Sequence, residues 1–234
     1  MIHCLHGNVG SPESWDLFDG RLGAKIHAVD LWSMLETGPL SLIDAGESIA
    51  RSASQGDVLL GYSMGGRLAL HALLADREKW KAAIIVSAHP GLHTGHKERL
   101  RHDAEWARLV DSDWDDFLRR WNAMEVLQGN RLPTRGFHQA TLANQMNVAQ
   151  GFRDWSLGTQ SNLLPTFPGI DCPVLWITGA LDHKYCGVAE QAVRKLGRGR
   201  HIHVPNSGHR APWEHPETFS KIVRDFLLSV DQLP

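Results

Sequence analysis

Asp57-Val58-Leu59-Leu60-Gly61-Tyr62-Ser63-Met64-Gly65-Gly66-Arg67-Leu68-Ala69-Leu70 reads as a short apolar strand, a Gly-x-Ser-x-Gly turn and the opening of a helix. In that context the pentapeptide is a nucleophile elbow, a strained turn that stands the serine hydroxyl clear of a sheet edge. Glycines at 61 and 65 remove the side chains that would collide where strand and helix approach each other. The helix amino terminus then offers backbone N–H groups to a developing oxyanion.

Similar apolar runs recur on either side of the elbow, at residues 2–5, 26–29, 58–60, 83–86, 174–178 and 201–204. Most are continuously apolar rather than alternating, which is the pattern of strands buried on both faces of a parallel sheet. Helical patterns at 45–52, 67–75, 188–196 and 216–230 lie between or after them. Strand and helix in succession predict a mostly parallel, doubly wound α/β sheet. The alternation stops after Val86 and resumes at Val174, a gap too long for a loop. It is rich in charge and tryptophan, with helical patterns at 97–110 and 114–126. One domain over residues 1–234 is therefore expected, with residues 89–168 inserted as a helical cap above the carboxyl ends of the strands, where α/β sheets bind ligands.

A serine hydroxyl becomes a nucleophile or base only when a histidine takes its proton and a carboxylate fixes that histidine's tautomer. Asp182 follows the fifth predicted strand in Gly179-Ala180-Leu181-Asp182-His183-Lys184, and His209 follows the sixth in Pro205-Asn206-Ser207-Gly208-His209. The order Ser63, Asp182, His209 is that of α/β-hydrolases. His183 is the nearest rival base, but it precedes the last strand. The loop His6-Gly7-Asn8-Val9-Gly10 after the first strand is placed to complete an oxyanion hole, so backbone donors are assigned to Asn8 and Met64, with His6 bracing the loop.

A chain of 234 residues suits one large α/β unit carrying an insertion. Its 42% hydrophobic and 21% charged content excludes a disordered chain. Twenty-four Lys and Arg against 26 Asp and Glu leave −2, so no basic field draws it to nucleic acid or anionic lipid, and a charged ligand must be met locally. No apolar run reaches membrane-span length, and Met1-Ile2-His3-Cys4-Leu5 lacks the basic start of a signal peptide, so a cytoplasmic protein with no membrane partner is expected. Cys4, Cys172 and Cys186 form no Cys-x-x-Cys pair. His89, His93, His96 and His102 lack companion carboxylates at ligand spacing, so no metal is predicted. No phosphate cradle or dinucleotide fingerprint is present, so no cofactor is predicted either. The expected partner is a small-molecule substrate, and the expected state a monomer or small homo-oligomer.

His6-Gly7, the elbow, Asp182 and His209 together resemble the α/β-hydrolase superfamily over nearly the whole chain. More narrowly, Gly61 to Arg67, the stretch with Arg99, Asp103, Trp106 and Ala107, Trp121, and Gly179-x-x-Asp182-x-Lys184-Tyr185 resemble the 2-succinyl-6-hydroxy-2,4-cyclohexadiene-1-carboxylate synthase family of menaquinone biosynthesis. The resemblance implies elimination of pyruvate from a carboxylate-rich cyclohexene substrate, with the serine triad used for proton abstraction and arginines holding the carboxylates. By the same resemblance Arg67 and Arg99 bind substrate, and Tyr62 and Trp121 line the pocket. Where the family has a further arginine in a later cap helix, this chain reads Leu142-Ala143-Asn144-Gln145-Met146-Asn147.

Arg67 stands out on physical grounds as well, because a cation in a helix's first turn opposes the macrodipole by roughly 0.3–1 kcal/mol. A substrate carboxylate or a nearby Asp or Glu would compensate it. Two other functions remain open. Ester hydrolysis through an acyl-enzyme on Ser63 would suit an apolar pocket walled by Trp121, Met124 and Trp155, whereas converging arginines favour the lyase. A ligand-sensing receptor would bind without turnover. Trp15 and Trp213 flank the first and last loops and are expected to wall the pocket.

Overall fold

The computed structural model describes residues 1–127 and 144–231. Six strands, β1 (Ile2–Leu5), β2 (Ile26–Val29), β3 (Val58–Tyr62), β4 (Ala82–Val86), β5 (Val174–Gly179) and β6 (Gly199–Val204), form one sheet in the order β2-β1-β3-β4-β5-β6. Every neighbouring pair is parallel. The apolar runs fill both faces: Leu59, Ile85 and Trp176 enter one core, and Leu60, Ile84 and Leu175 enter the other. That double burial removes the polar alternation a half-exposed strand would show.

Helices α1 (Leu42–Ser52) and α2 (Met64–Ala75) cover one face through Leu42, Ile49, Leu68 and Leu73. After the single turn α7 (Ala211–Glu214), helix α8 (Pro216–Asp231) covers the other with Phe219, Val223 and Phe226. The helix expected to begin at 188 begins earlier, as α6 (His183–Val193), because the Asp182 side chain accepts the Tyr185 N–H at 3.4 Å and caps it. Asp182 is thus a helix cap rather than a free loop residue.

Between β4 and β5 lie α3 (His96–Ser112), α4 (Trp114–Asn122) and α5 (Gln145–Asp154), with 3-10 turns at Glu125–Leu127 and Leu164–Gly169. The helix expected over 114–126 therefore ends at Asn122 and gives way to a separate turn. Asp113 caps α4 by accepting the Asp116 N–H at 2.9 Å. Trp121 meets Trp106 and Phe152 edge-on, with ring centroids 5.5 and 5.4 Å apart, and Phe117 meets Phe152 at 5.9 Å. Burying each such phenylalanine is worth about 1.5–3 kcal/mol, so these rings tie the three helices together. Of the stretch 142–147, positions 142 and 143 lie outside the described residues, and Gln145 opens α5.

Trp15 and Trp213 pack elsewhere than expected, and Trp155 does not wall the pocket as the ester-hydrolysis alternative would have it. Trp15 is fully buried on the α8 side of the sheet, 5.5 Å from Trp213. Trp213 lies beneath Tyr62 at 4.7 Å and donates Nε1–H to the Ser14 carbonyl at 2.8 Å. Trp155 stacks on Trp32 at 6.3 Å and is fully buried. None of the three lines the cavity described below. Their large apolar surfaces join the core instead, leaving the site to more polar side chains. Among the described residues no helix is long and apolar enough to cross a membrane.

Candidate active site

Ser63 sits between β3 and α2 with φ 52° and ψ −110°, a backbone conformation that side-chain-bearing residues rarely adopt. The turn is held by close approach on both sides. A Cβ at Gly61 would lie 2.4 Å from the Gly65 carbonyl oxygen, and one at Gly65 would lie 2.4 Å from the carbonyl oxygens of Leu5 and His6. Only glycine lets α2 enter this close to β1 and β3. The Ser63 N–H donates to the Val86 carbonyl at 2.8 Å, which anchors the elbow to β4.

The three residues separated in sequence meet here. His209 Nδ1 lies 2.7 Å from Asp182 Oδ2, and His209 Nε2 lies 3.2 Å from Ser63 Oγ. An ionised carboxylate only accepts, so Nδ1 carries the proton and Nε2 is free to accept from the serine hydroxyl. His209 and Asp182 are both buried, whereas His183 is exposed at the start of α6. The His209 loop is fastened from a residue that the sequence reading did not single out: Glu214 accepts the N–H groups of Gly208 at 2.9 Å and Arg210 at 3.2 Å, one on each side of the histidine. Only its position five residues after His209 could have pointed to it.

The loop after β1 is equally constrained. His6 accepts the Leu31 N–H at Nε2, 3.3 Å away, and donates Nδ1–H to the Gly7 carbonyl at 2.9 Å. Full burial pushes the His6 imidazole down to about 4, outweighing that hydrogen bond and the more distant Asp30, so the neutral ring is the brace. Trp32 Nε1–H donates to the Gly10 carbonyl at 2.8 Å. Asn8 and Met64 both line the cavity beside Ser63. Asn8 N–H has no partner among the described residues, and Met64 N–H belongs to the first turn of α2, which has no intrahelical acceptor.

The cavity above Ser63 has a volume of about 230 Å³. Tyr62 and Trp121 line it, and both also pack against neighbouring rings. Tyr62 and Tyr185 flank His209 at 5.6 and 4.5 Å, and burial raises both phenols, so they stay neutral. Arg67 lines the cavity although only 6% exposed. Burial, with Arg99 nearby, lowers its guanidinium to about 10, which leaves it charged at neutral pH. It meets no carboxylate among the described residues. Nη1 donates to Gln160 Oε1 at 3.2 Å and Nη2 to the Trp155 carbonyl.

Arg99 lines the cavity too, with Nε donating to both oxygens of Asp103 at 2.8 Å. Asp103 also accepts from Ser156 Oγ at 2.7 Å. Lys184 and Arg210 complete the cationic wall, the latter donating to Asn122 Oδ1 at 2.8 Å and so joining α4 to the His209 loop. Neither had been given a role from sequence, although Lys184 lies within the Gly179-to-Tyr185 stretch. Among the described residues, four cations thus line the cavity against one carboxylate, Asp103, which is already satisfied. The histidines of the cap region point to different partners: His96 to the Gly158 carbonyl, His93 to Asn162 and His102 to Asp103.

An open parallel sheet with a serine elbow, and a histidine and carboxylate at successive strand ends, defines an α/β-hydrolase fold. The alpha/beta hydrolase family model matches residues 4–222, and the chain belongs to that family. It is 29% identical to the putative 2-succinyl-6-hydroxy-2,4-cyclohexadiene-1-carboxylate synthase of Bacillus subtilis, covering 98% of this chain and 90% of that one. It is also 28% identical to the pimeloyl-[acyl-carrier protein] methyl ester esterase of Yersinia enterocolitica, over 95% and 91% of the two chains. The MenH structure from S. aureus superposes with a TM-score of 0.88 at 22% identity, covering 99% of this chain and 94% of that one, a likeness of fold.

Proposed function

We propose that this protein is a carbon–oxygen lyase of the 2-succinyl-6-hydroxy-2,4-cyclohexadiene-1-carboxylate synthase type, eliminating pyruvate from a carboxylate-bearing cyclohexene. The observation that carries this reading is Arg67: a buried guanidinium lining the cavity with Ser63, Arg99, Lys184 and Arg210, and with no carboxylate partner among the described residues. Burying a charge without a counter-ion is costly, and a substrate carboxylate is the partner whose chemistry fits it.

In this mechanism His209 Nε2 takes the Ser63 proton while Asp182 holds the imidazole's tautomer and stabilises the imidazolium. The Ser63 oxygen then removes a ring proton. The C–H electrons move into the ring π-system, the ring carbon–oxygen bond to the enolpyruvyl group breaks with its electron pair on the leaving oxygen, and the released enolate is protonated at carbon, at the expense of the proton taken up by His209, to become pyruvate. Backbone N–H groups of Asn8 and Met64 are the proposed donors to the oxyanion that develops, each worth about 2.7–4 kcal/mol by analogy with oxyanion holes elsewhere. Of the cap expected over residues 89–168, the described residues 89–127 and 144–168 enclose the substrate in this reading, and 128–143 lie outside the described residues.

The alternative is a carboxylic ester hydrolase, in which Ser63 attacks a carbonyl and a His209-activated water clears the acyl-enzyme. The esterase relative and the apolar side chains of Trp121 and Met124 in the cavity favour it. Incubation with the enolpyruvyl precursor of menaquinone biosynthesis, and separately with short p-nitrophenyl esters, separates the two. Pyruvate release abolished by Ser63→Ala is the expected result. Ester turnover alone, lost on the same substitution, would replace the lyase by the hydrolase, and turnover surviving the substitution would remove Ser63 from both.

A further inference from the structure

We infer that His89 is a substrate-binding residue whose Nε2–H donates a hydrogen bond to a carboxylate oxygen of the ligand; this rests on the reading of the cavity as an anion site. His89 follows β4 by three residues and lines the cavity with Ser63. Its Nδ1 accepts the Gly91 N–H at 3.1 Å. The neutral ring therefore carries its proton on Nε2, and among the described residues Nε2 has no hydrogen-bond partner.

The segment that carries this imidazole is held firmly. The His89 carbonyl accepts from Gln160 Nε2 at 3.2 Å, and the Pro90 carbonyl accepts the Leu163 N–H at 2.7 Å. Gln160 also accepts from Arg67 Nη1, so His89 and Arg67 share one hydrogen-bonded frame. Gly91 closes the turn at φ +110°, where a Cβ would lie 2.0 Å from the Ser161 carbonyl oxygen. Burial, reinforced by Lys184, Arg67 and Arg99, holds the ring neutral down to about 4. A cationic wall attracts a carboxylate, and a fixed neutral N–H adds direction without adding repulsion to the neighbouring cations.

Two variants separate substrate contact from loop bracing. In His89→Asn the amide oxygen takes the place of Nδ1 and keeps the Gly91 contact but loses the distal donor. In His89→Gln the amide nitrogen takes the place of Nε2 and keeps the donor but loses the brace. Both are compared with wild type for binding of benzene-1,3-dicarboxylate by calorimetry and for kcat/KM of pyruvate release, with thermal melting as a check of folding. His89→Asn should weaken both about 10- to 100-fold, the value of a hydrogen bond to a charged acceptor, while His89→Gln stays within about threefold. In wild type, the Nε2–H proton resonance of His89 should shift on dicarboxylate addition.

The inference is overturned if His89→Asn matches wild type, if His89→Gln falls as far as or further than His89→Asn, or if wild type does not bind the dicarboxylate. If the dicarboxylate arm behaves as expected while wild type releases no pyruvate, the lyase reading fails and the role of His89 in anion binding stands.

Discussion

Replacing Arg67 by methionine tests the charge logic of the site most directly. Methionine has a similar reach and helix propensity, so α2 should persist. The substitution leaves the Trp155 carbonyl and the Gln160 side chain without their donor, at about 1–3 kcal/mol each, but it also removes a buried guanidinium that has no carboxylate partner among the described residues. These effects oppose each other, and thermal melting should move by only a few degrees. Catalysis should respond far more. Two hydrogen bonds to a substrate carboxylate at about 1.5–3 kcal/mol each, taken as less than fully additive, amount to roughly 3–4 kcal/mol, or about 10²- to 10³-fold in kcat/KM. Pyruvate release from the anionic precursor measures that loss. The rate at which the neutral reagent phenylmethylsulfonyl fluoride inactivates Ser63 reports the elbow independently and should change less than about threefold. Equal loss in both assays would make Arg67 a structural residue and refute the argument.

Asp182→Asn should leave the fold intact, because an amide oxygen still caps α6, yet lower kcat on the order of 10⁴-fold, because the amide permits the wrong tautomer of His209; steady-state rates beside a circular-dichroism spectrum check this. Gly65→Ala places a Cβ against the Leu5 and His6 carbonyls and should cost about 2–3 kcal/mol in urea unfolding, with activity falling as the elbow shifts. His6 is fully buried with its imidazole lowered to about 4, so the unfolded chain binds its proton first as pH falls below 6.5. Stability should therefore be complete above that value and decline towards pH 4, by up to about 3 kcal/mol from this residue. Urea unfolding at pH 7 and pH 5 measures the decline, and His6→Asn should flatten part of it.

All six strands were legible in the apolar runs, with ends displaced by no more than two residues; in β1, β3, β4 and β5 double burial imposes a largely apolar pattern, whereas the edge strands β2 and β6 are only partly buried. Helix starts were less legible. Helix α6 begins at His183 only because Asp182 folds back to cap it, and α4 stops at Asn122 although its pattern runs on. Trp15 and Trp213 depart from expectation for a related reason: they flank the first and last site loops in sequence, but their rings find more apolar surface in the core.

The elbow and the order of Ser63, Asp182 and His209 could be read from the chain alone because they follow local rules: glycine where backbones touch, and polar residues just beyond buried strands. Which cations gather over Ser63, which of them lack a carboxylate among the described residues, and where His89 stands in the cavity were decided only by tertiary packing across the sheet. Those meetings depend on contacts such as Arg67 with Gln160 and Arg210 with Asn122, and no sequence periodicity records a pairing between residues so far apart in the chain.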